Sequence, residues 1–98
     1  MPRTVRIHPD ALEEAEAATD WYGARSLRAA ERFLDELTRG IDRITENPEQ
    51  FPKFLYGTRR LVFAKFPYVI VFRETDLAVE IVAIAHGKRR PGYWRDRI

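Results

Sequence analysis

Side chains that could carry out chemistry gather near the C-terminus of this chain of 98 residues. Cleavage of RNA through its 2′-hydroxyl needs a base, an acid for the leaving oxygen and cations for the phosphate. Histidine is the side chain that ordinarily moves protons at neutral pH, which makes His86 the candidate proton shuttle. The candidate catalytic residues for this chemistry are His86, Arg89, Arg90 and Tyr93, with Arg60 and Arg73 from earlier strands.

The same segment also suits binding without chemistry. From Gly87 to Ile98 there are five bases and one acid, whereas residues 10–20 carry five acids and no base. A cationic patch with aromatic rings suits an anionic nucleic acid or an acidic protein. The candidate target-binding residues are Arg89, Arg90, Tyr93, Trp94, Arg95 and Arg97. The alternatives are a solvated tail, a histidine that only bonds the tail, and rings that only pack on the sheet.

An apolar strand precedes this cationic segment. Residues 77–86 contain one formal charge, Glu80, and four β-branched residues, which is typical of a strand buried in a sheet. A lone carboxylate there is more often an ion-pair partner than a base, so we expect Glu80 to pair with Arg73 or Arg60. Strict alternation predicts two faces. Those expected under the helices are Leu77, Val79, Ile81, Ala83 and Ala85, and those expected towards a groove, solvent or the tail are Ala78, Glu80, Val82, Ile84 and His86.

Two helices are predicted before the central strands. A short strand over residues 5–7 ends at Pro9, which suits the first turn of a helix that Gly23 then ends. Ser26 is a good N-cap for a second, longer helix with apolar side chains every three or four residues. Asn47 and the proline after it end this helix. The short connection predicts an antiparallel helix hairpin.

The remaining elements complete one domain over residues 1–98. The loop 48–57 is rich in large apolar side chains, so we expect it to pack across the domain. Three strands, near residues 60–64, 68–73 and 77–86, are joined by short turns and should pair antiparallel. The order β-α-α-β-β-β predicts an α+β fold, with the helix hairpin on one face of a mainly antiparallel four-stranded sheet.

The composition excludes several kinds of site. There is no cysteine, so disulfides and cysteine-rich zinc sites are excluded, and the two histidines lie far apart. No apolar run approaches the roughly 20 residues of a membrane helix. Residues 1–5 lack the apolar region of a secretory signal. We therefore expect a cytoplasmic protein that uses no metal, no cofactor and no membrane.

The ordered set of motifs resembles the RelE/ParE toxin superfamily. The resemblance begins with the short strand, the alanine-rich acidic helix and the segment Ala29–Phe33 of the long helix, which ends at an Asn-Pro break. It continues through residues 59–61, 68–73 and 82–91, and so covers nearly the whole chain. Members are small bacterial toxins of type II toxin–antitoxin systems, and many were first described as plasmid stabilisation proteins.

The resemblance implies two targets. Members similar to RelE cut messenger RNA on the ribosome, and such an enzyme would use the candidate catalytic residues. Members similar to ParE block DNA gyrase and have no known chemistry. The helix hairpin with Ala29–Phe33 favours ParE, and only Lys53 and Arg59 stand where nucleases carry more basic residues. We therefore expect a gyrase inhibitor that is not an enzyme, with a messenger RNA endoribonuclease and a non-toxic antitoxin-binding relative as alternatives.

The resemblance also implies a cognate antitoxin, which would be small, acidic and partly disordered. Its tail would fold on binding and wrap across the helix hairpin and the sheet. The alanine-rich groove of the first helix and the basic edge would receive an apolar, acidic segment, in a toxin–antitoxin hetero-oligomer.

Overall fold

The computed structural model describes residues 4–98, and the predicted order of helices and strands is confirmed within that range. Its elements are β1 (Thr4–Ile7), α1 (Pro9–Gly23), α2 (Leu27–Glu46), β2 (Arg59–Val62), β3 (Tyr68–Glu74) and β4 (Ala78–His86), with short 3-10 turns at Pro48–Gln50, Leu55–Gly57 and Arg95–Arg97. Residues 1–3, which enter the expectation about a secretory signal, lie outside the described residues.

The four strands lie in the order β1-β4-β3-β2. β3 pairs antiparallel with both β2 and β4, because short turns join these strands. β1 pairs parallel with β4, since the helix hairpin lies between them in the chain. This pairing ends where Ile7 meets Ile81, so the rest of β4 has no strand beside it on that side within residues 4–98. The sheet is mixed and mainly antiparallel, which confirms the α+β prediction.

Both helices begin as the sequence predicts. Nδ1 of His8 accepts a hydrogen bond from the backbone N–H of Asp10 at 3.0 Å, and the Ser26 side chain caps α2. α2 lies close to the sheet at Gly40, because an added Cβ there would come 2.9 Å from Cδ1 of Ile70. Glycine in this helix interior therefore has a packing reason, which offsets its low helix propensity.

The sheet separates two apolar clusters. The helix-side cluster consists of Ala11, Ala18, Phe33, Leu37, Ile44, Phe51, Leu61, Phe63, Ile70, Phe72, Val79, Ile81 and Ile84. The tail-side cluster has the buried residues Val71, Val82, Ala83, Ala85 and Trp94. We call residues 87–98 the tail, and it covers the sheet face that the helices leave open. The loop before β2 packs on both sides as predicted, with Phe51 in the first cluster and Phe54 against the second.

A β-bulge in β4 changes which face its later side chains meet. Val71 pairs with Ala83, whereas Phe72 pairs with Ile81, so Val82 is an extra residue without a partner in β3. An extra residue turns every later side chain to the opposite face, because side chains alternate along a strand.

The bulge corrects the alternation prediction. Val79 and Ile81 pack under the helices as expected, but Ala83 and Ala85 lie in the tail-side cluster and Ile84 lies on the helix side. Leu77, which directly precedes β4, is 78% exposed. Four of these face predictions are wrong: Leu77, Ala83 and Ala85 do not pack under the helices, whereas Ile84 does.

Candidate functional site

The tail turns back over the sheet directly after β4. The backbone N–H of Gly87 donates to the carbonyl of Pro67 at 2.7 Å, and that of Lys88 donates to Nδ1 of His86 at 3.0 Å. Since Nδ1 accepts, a neutral His86 ring carries its proton on Nε2. The histidine thus holds the start of the tail, and Gly92 turns the chain again at a φ of 82°.

Trp94 fixes the middle of the tail by burial. Its side chain is 1% exposed and lies in the tail-side cluster, with the rings of Phe54 and Tyr56 at centroid distances of 6.0 and 5.9 Å. We call Phe54, Tyr56 and Trp94 the aromatic stack. Trp94 is a predicted target-binding residue, but its side chain has almost no surface with which to reach a target. Its place in the fold is to anchor the tail.

A carboxylate of α1 joins the helix, β4 and the tail. Oε2 of Glu14 accepts from the Tyr93 hydroxyl at 2.6 Å and from Nη2 of Arg97 at 3.0 Å. Its Oε1 accepts from Nη1 of Arg97 at 2.8 Å and from the backbone N–H of Ile84 at 3.0 Å. Nη1 of Arg97 also donates to the carbonyl of Val82 at 3.1 Å. We call Glu14, Tyr93 and Arg97 the clamp, and it occupies the edge of β4 at the bulge.

Partial burial strengthens the clamp. The side chains of Glu14 and Arg97 are 16% and 14% exposed, so water screens their attraction less than it does at the surface. Burial, followed by the hydrogen bond to Glu14, raises the pKa of the Tyr93 hydroxyl far above its ordinary value. The hydrogen bond to Glu14 also raises the pKa of Arg97. Tyr93 is therefore a neutral donor at physiological pH and a weak acid.

The other side of the tail carries arginines stacked on rings. Cζ of Arg95 lies 4.7 Å from the ring centroid of Tyr56, and Cζ of Arg60 lies 4.6 Å from that of Phe54. Tyr56 has a φ of 57°, in the left-handed region that a bulky side chain rarely adopts. Its ring packs against the tail, which explains why the backbone holds this conformation.

The candidate catalytic residues lie on both faces of the sheet. His86 pairs with Tyr68, whose ring packs on the helix-side cluster. Arg60 pairs with Val71 of the tail-side cluster, and Arg73 lies two residues further along the same strand, on the same face. Of the six candidates, the fold brings Arg89 next to both His86 and Tyr93. Arg60 and Arg73 lie on the sheet face opposite His86, and Tyr93 packs on the tail-side cluster.

Two of the candidate arginines, Arg73 and Arg89, have partners within the fold that bear on their availability. Nε of Arg73 donates to Oε1 of Glu80 at 2.8 Å, which confirms the predicted pairing of that lone carboxylate. Cζ of Arg89 lies 3.8 Å from the ring centroid of Tyr93, so this arginine lies over the clamp. Arg89, Arg90 and Arg95 are exposed, whereas Arg97 is mostly buried.

A groove of about 470 Å³ runs between α1 and the ends of β3 and β4. We call it the α1 groove, and its lining residues are Glu14, Ala17, Ala18, Trp21, Tyr22, Pro67, Tyr68, Ile84, His86 and Arg89. Its floor is apolar, and Arg89 adds a positive charge at its tail end, where the charge of Glu14 is already paired with Arg97. These are the features predicted for an alanine-rich groove with a basic edge.

The sequence reasoning missed two residues that hold the tail. Glu14 has an ordinary helix signal, because acids favour the first turns of helices, and its tail partners lie 79 and 83 residues away. Tyr56 precedes Gly57, a pair that indicates a turn but not which surface the ring will meet.

Two other kinds of site are absent from the part of the chain that the structure describes. Within residues 4–98, no three His, Asp or Glu side chains group closely enough to hold a metal ion. In that same range, no helix combines the length and the apolar character needed to span a bilayer.

Comparisons with known proteins identify the family. A family model described as the ParE toxin of the type II toxin-antitoxin system parDE matches residues 5–91. Toxin ParE2 of Mycobacterium tuberculosis, in strains CDC 1551 and H37Rv, is 27% identical over 95 residues, covering 93% of this chain and 88% of the relative. The fold matches a chain of the chromosomal ParDE TA system from P. aeruginosa, with a TM-score of 0.70 and 19% sequence identity. The match covers 86% of this chain and 95% of that chain. The chain therefore belongs to the ParE toxin family of type II toxin–antitoxin systems.

Proposed function

We propose that residues 1–98 form a single cytoplasmic toxin domain that inhibits DNA gyrase through a protein surface, without chemistry of its own. Membership of the ParE family supports the toxin role, and the resemblance to gyrase-blocking members supports the target. The observation that carries the proposal is the anchored tail, which holds three exposed arginines on a fixed backbone.

The exposed arginines Arg89, Arg90 and Arg95 form the proposed contact surface. Arginine is enriched among residues that dominate interface energy, and it can bond an acidic partner through several N–H groups. A tail that is already ordered loses less conformational entropy on binding than a free one. Tyr93, Trp94 and Arg97 then serve this surface by holding the tail in place.

The separation of the candidate catalytic residues favours binding over cleavage. A nuclease needs its base, acid and cations around one phosphate. Here Arg60 and Arg73 lie across the sheet from His86. The Tyr93 hydroxyl already donates a hydrogen bond to Glu14 and has a raised pKa, so it is poorly suited to protonate a leaving oxygen.

The α1 groove is the proposed seat for a segment of the cognate antitoxin. Its apolar floor would receive apolar side chains, and Arg89 would attract acidic ones. Trp21 lies on the groove and is 53% exposed, whereas the other tryptophan, Trp94, is 1% exposed. A change in tryptophan fluorescence on antitoxin binding should therefore come from Trp21.

The test of the target compares two triple variants in a gyrase supercoiling assay. The tail variant carries Arg89→Ala, Arg90→Ala and Arg95→Ala; the control variant carries Arg28→Ala, Arg32→Ala and Arg39→Ala on the exposed face of α2. We expect the wild-type chain and the control to inhibit supercoiling. The tail variant should reach half-inhibition only at a concentration at least about tenfold higher, because a loss of about 1.4 kcal/mol of binding free energy weakens binding tenfold.

Other outcomes would overturn the proposal. Unchanged supercoiling at concentrations that arrest growth would exclude gyrase as the target. Cleavage of messenger RNA on ribosomes that His86→Ala abolishes would establish the nuclease alternative. Expression without growth arrest would identify a non-toxic relative.

The test of the antitoxin seat uses Ala17→Glu, which puts a negative charge into the α1 groove. We expect weaker binding of the cognate antitoxin, with unchanged inhibition of gyrase. Ala24→Glu, on an exposed residue just after α1, is the control and should bind normally. Equal antitoxin affinity for both variants would place the seat elsewhere.

A further inference from the structure

We infer that Glu14 is a positioning residue for the proposed target surface, and that it acts by fixing the shape of the tail from α1. The expected effect of Glu14 on target binding rests on the proposed function, whereas the contacts of Glu14 do not depend on the target. Glu14 does not belong to the tail, and it is 16% exposed, so its role would be indirect.

Glu14 makes more contacts with the tail than the other acids of α1 do. Asp10 also faces the tail, but its Oδ2 lies 3.8 Å from Nε of Arg97 and its side chain is 56% exposed. Both of its carboxylate oxygens accept hydrogen bonds, from donors in β4 and in the tail. Glu13 and Glu16, on the same helix, are exposed. Hydrogen bonds to an ionised group are stronger than those between neutral groups. One side chain thus ties three separate segments of the chain together.

The strand edge explains why an ionised side chain is needed there. β1 stops pairing at Ile81, and the bulge follows at once. The backbone N–H of Ile84 bonds Glu14, and the carbonyl of Val82 bonds Arg97. The clamp therefore covers backbone groups that a neighbouring strand would otherwise bond. Without Glu14, the mostly buried charge of Arg97 would lose its two carboxylate hydrogen bonds and keep only the longer ion pair with Asp10, at 3.8 Å, which favours release of the tail.

The clamp also determines where an exposed arginine lies. Arg89 stacks on the ring of Tyr93, whose hydroxyl is fixed by Glu14. Arg97 lies two residues after Arg95 in the last 3-10 turn, so its ion pair fixes that turn as well. Loss of Glu14 should loosen both Arg89 and Arg95, although it removes no group of the contact surface.

The experiment compares Glu14→Gln with the matched control Glu13→Gln by hydrogen exchange. Glutamine keeps the size of the side chain but removes its charge. We expect the amide hydrogens of residues 89–98 to exchange at least tenfold faster in Glu14→Gln, while those of β3 keep wild-type rates. A merely structural role would accelerate both regions together. The control should resemble the wild type throughout.

A double variant tests whether the effect passes through the clamp. Arg97→Gln should accelerate tail exchange at least as much as Glu14→Gln does, because it also removes the longer ion pair with Asp10. The double variant should add little to Arg97→Gln, because both changes break the ion pair between Glu14 and Arg97. If Glu14→Gln does not fold, Tyr93→Phe removes one clamp hydrogen bond and should accelerate tail exchange by a smaller factor. Wild-type tail exchange in Glu14→Gln, or in Tyr93→Phe if only that variant folds, would overturn the inference.

Inhibition of gyrase gives the functional readout. Glu14→Gln should raise the concentration for half-inhibition about tenfold, and Glu13→Gln should leave it unchanged. If the wild-type chain does not inhibit gyrase, the proposed function fails while the exchange result still decides the role of Glu14. Faster tail exchange with unchanged inhibition would show that the tail's shape does not matter to the target, and would also overturn the inference.

Discussion

The two sides of the tail are held by different forces. On the α1 side, the clamp uses directional hydrogen bonds and an ion pair between partly buried groups. On the opposite side, the aromatic stack buries Trp94 between the sheet and two other rings. Apolar burial gives larger but less directional stabilisation, whereas charged hydrogen bonds fix orientation. The comparison indicates that the stack keeps the tail on the sheet and the clamp sets its shape.

Each side also displays an arginine on a ring. Arg89 lies over Tyr93 on the clamp side, and Arg95 lies over Tyr56 on the stack side. Each ring is itself held by the anchoring contacts beneath it. The anchoring residues and the displayed residues are therefore neighbours with separate roles, and mutation of each group should have a different consequence.

The largest expected effect is from Trp94→Ala on the stack side. Loss of a buried tryptophan should lower the free energy of unfolding by about 3–5 kcal/mol, because it removes apolar contacts and leaves a cavity. Trp21→Ala, at a tryptophan that is 53% exposed, should cost less than about 1 kcal/mol. Urea unfolding measures both variants. An equal loss of unfolding free energy in Trp94→Ala and Trp21→Ala would mean that the stack does not hold the tail.

A smaller loss is expected from Arg97→Ala on the clamp side. This change leaves Glu14 without its ion-pair partner and should cost about 2 kcal/mol, the scale of a hydrogen bond to a charged group. Arg95→Ala, at an exposed arginine of the same turn, should cost less than about 1 kcal/mol. Thermal unfolding of the pair gives the comparison. A cost for Arg95→Ala as large as that for Arg97→Ala would contradict the assignment of the clamp.

A substitution at Gly92 tests the contact between the tail and the aromatic stack. Gly92→Ala should destabilise the protein by about 1–2 kcal/mol, since φ is 82° and the new Cβ would lie 3.0 Å from the Tyr56 ring. Gly57→Ala has a similar φ of 77° but no heavy atom within 4 Å, so it isolates the backbone strain. We expect the Gly92 variant to be the less stable of the two. The reverse order in urea unfolding would show that Tyr56 moves away freely.

The smallest expected effect is a pH dependence of the unfolding free energy that comes from Tyr93 in the clamp. The folded pKa of Tyr93 is raised above its ordinary value of 10.0, so the unfolded chain loses this proton first as the pH rises. The stabilisation is therefore complete below about pH 10 and is lost as the pH rises towards the folded pKa. Unfolding free energies of wild type and Tyr93→Phe should converge above pH 10. Parallel curves would contradict a partly buried Tyr93 hydroxyl whose pKa is raised by burial and by the hydrogen bond to Glu14.

Much of the fold could be predicted because its signals are local. Pro9 and Ser26 begin the helices where their backbone chemistry favours a start, and apolar periodicity identifies the hairpin. The strand order and the bulge at Val82 have no such signal. In a continuous apolar run, the sequence does not show where one strand has an extra residue relative to its neighbour. That one residue moved Ala83 and Ala85 to the tail side.

The candidate site could be predicted in composition but not in arrangement. The sequence indicates a cationic, aromatic tail, yet it does not distinguish buried Trp94 from exposed Arg95. Glu14 could not be assigned to the tail, because only the folded chain brings together residues so far apart in sequence. Local propensity describes elements well, whereas contacts between distant segments require the packing itself.

The most direct measurement of the central claim is the affinity of this chain for purified gyrase by titration calorimetry. We predict a complex with the wild-type chain, and at least about tenfold weaker binding when Arg89, Arg90 and Arg95 are all changed to alanine. Equal affinity for the two proteins, or no wild-type complex at concentrations that arrest growth, would contradict it.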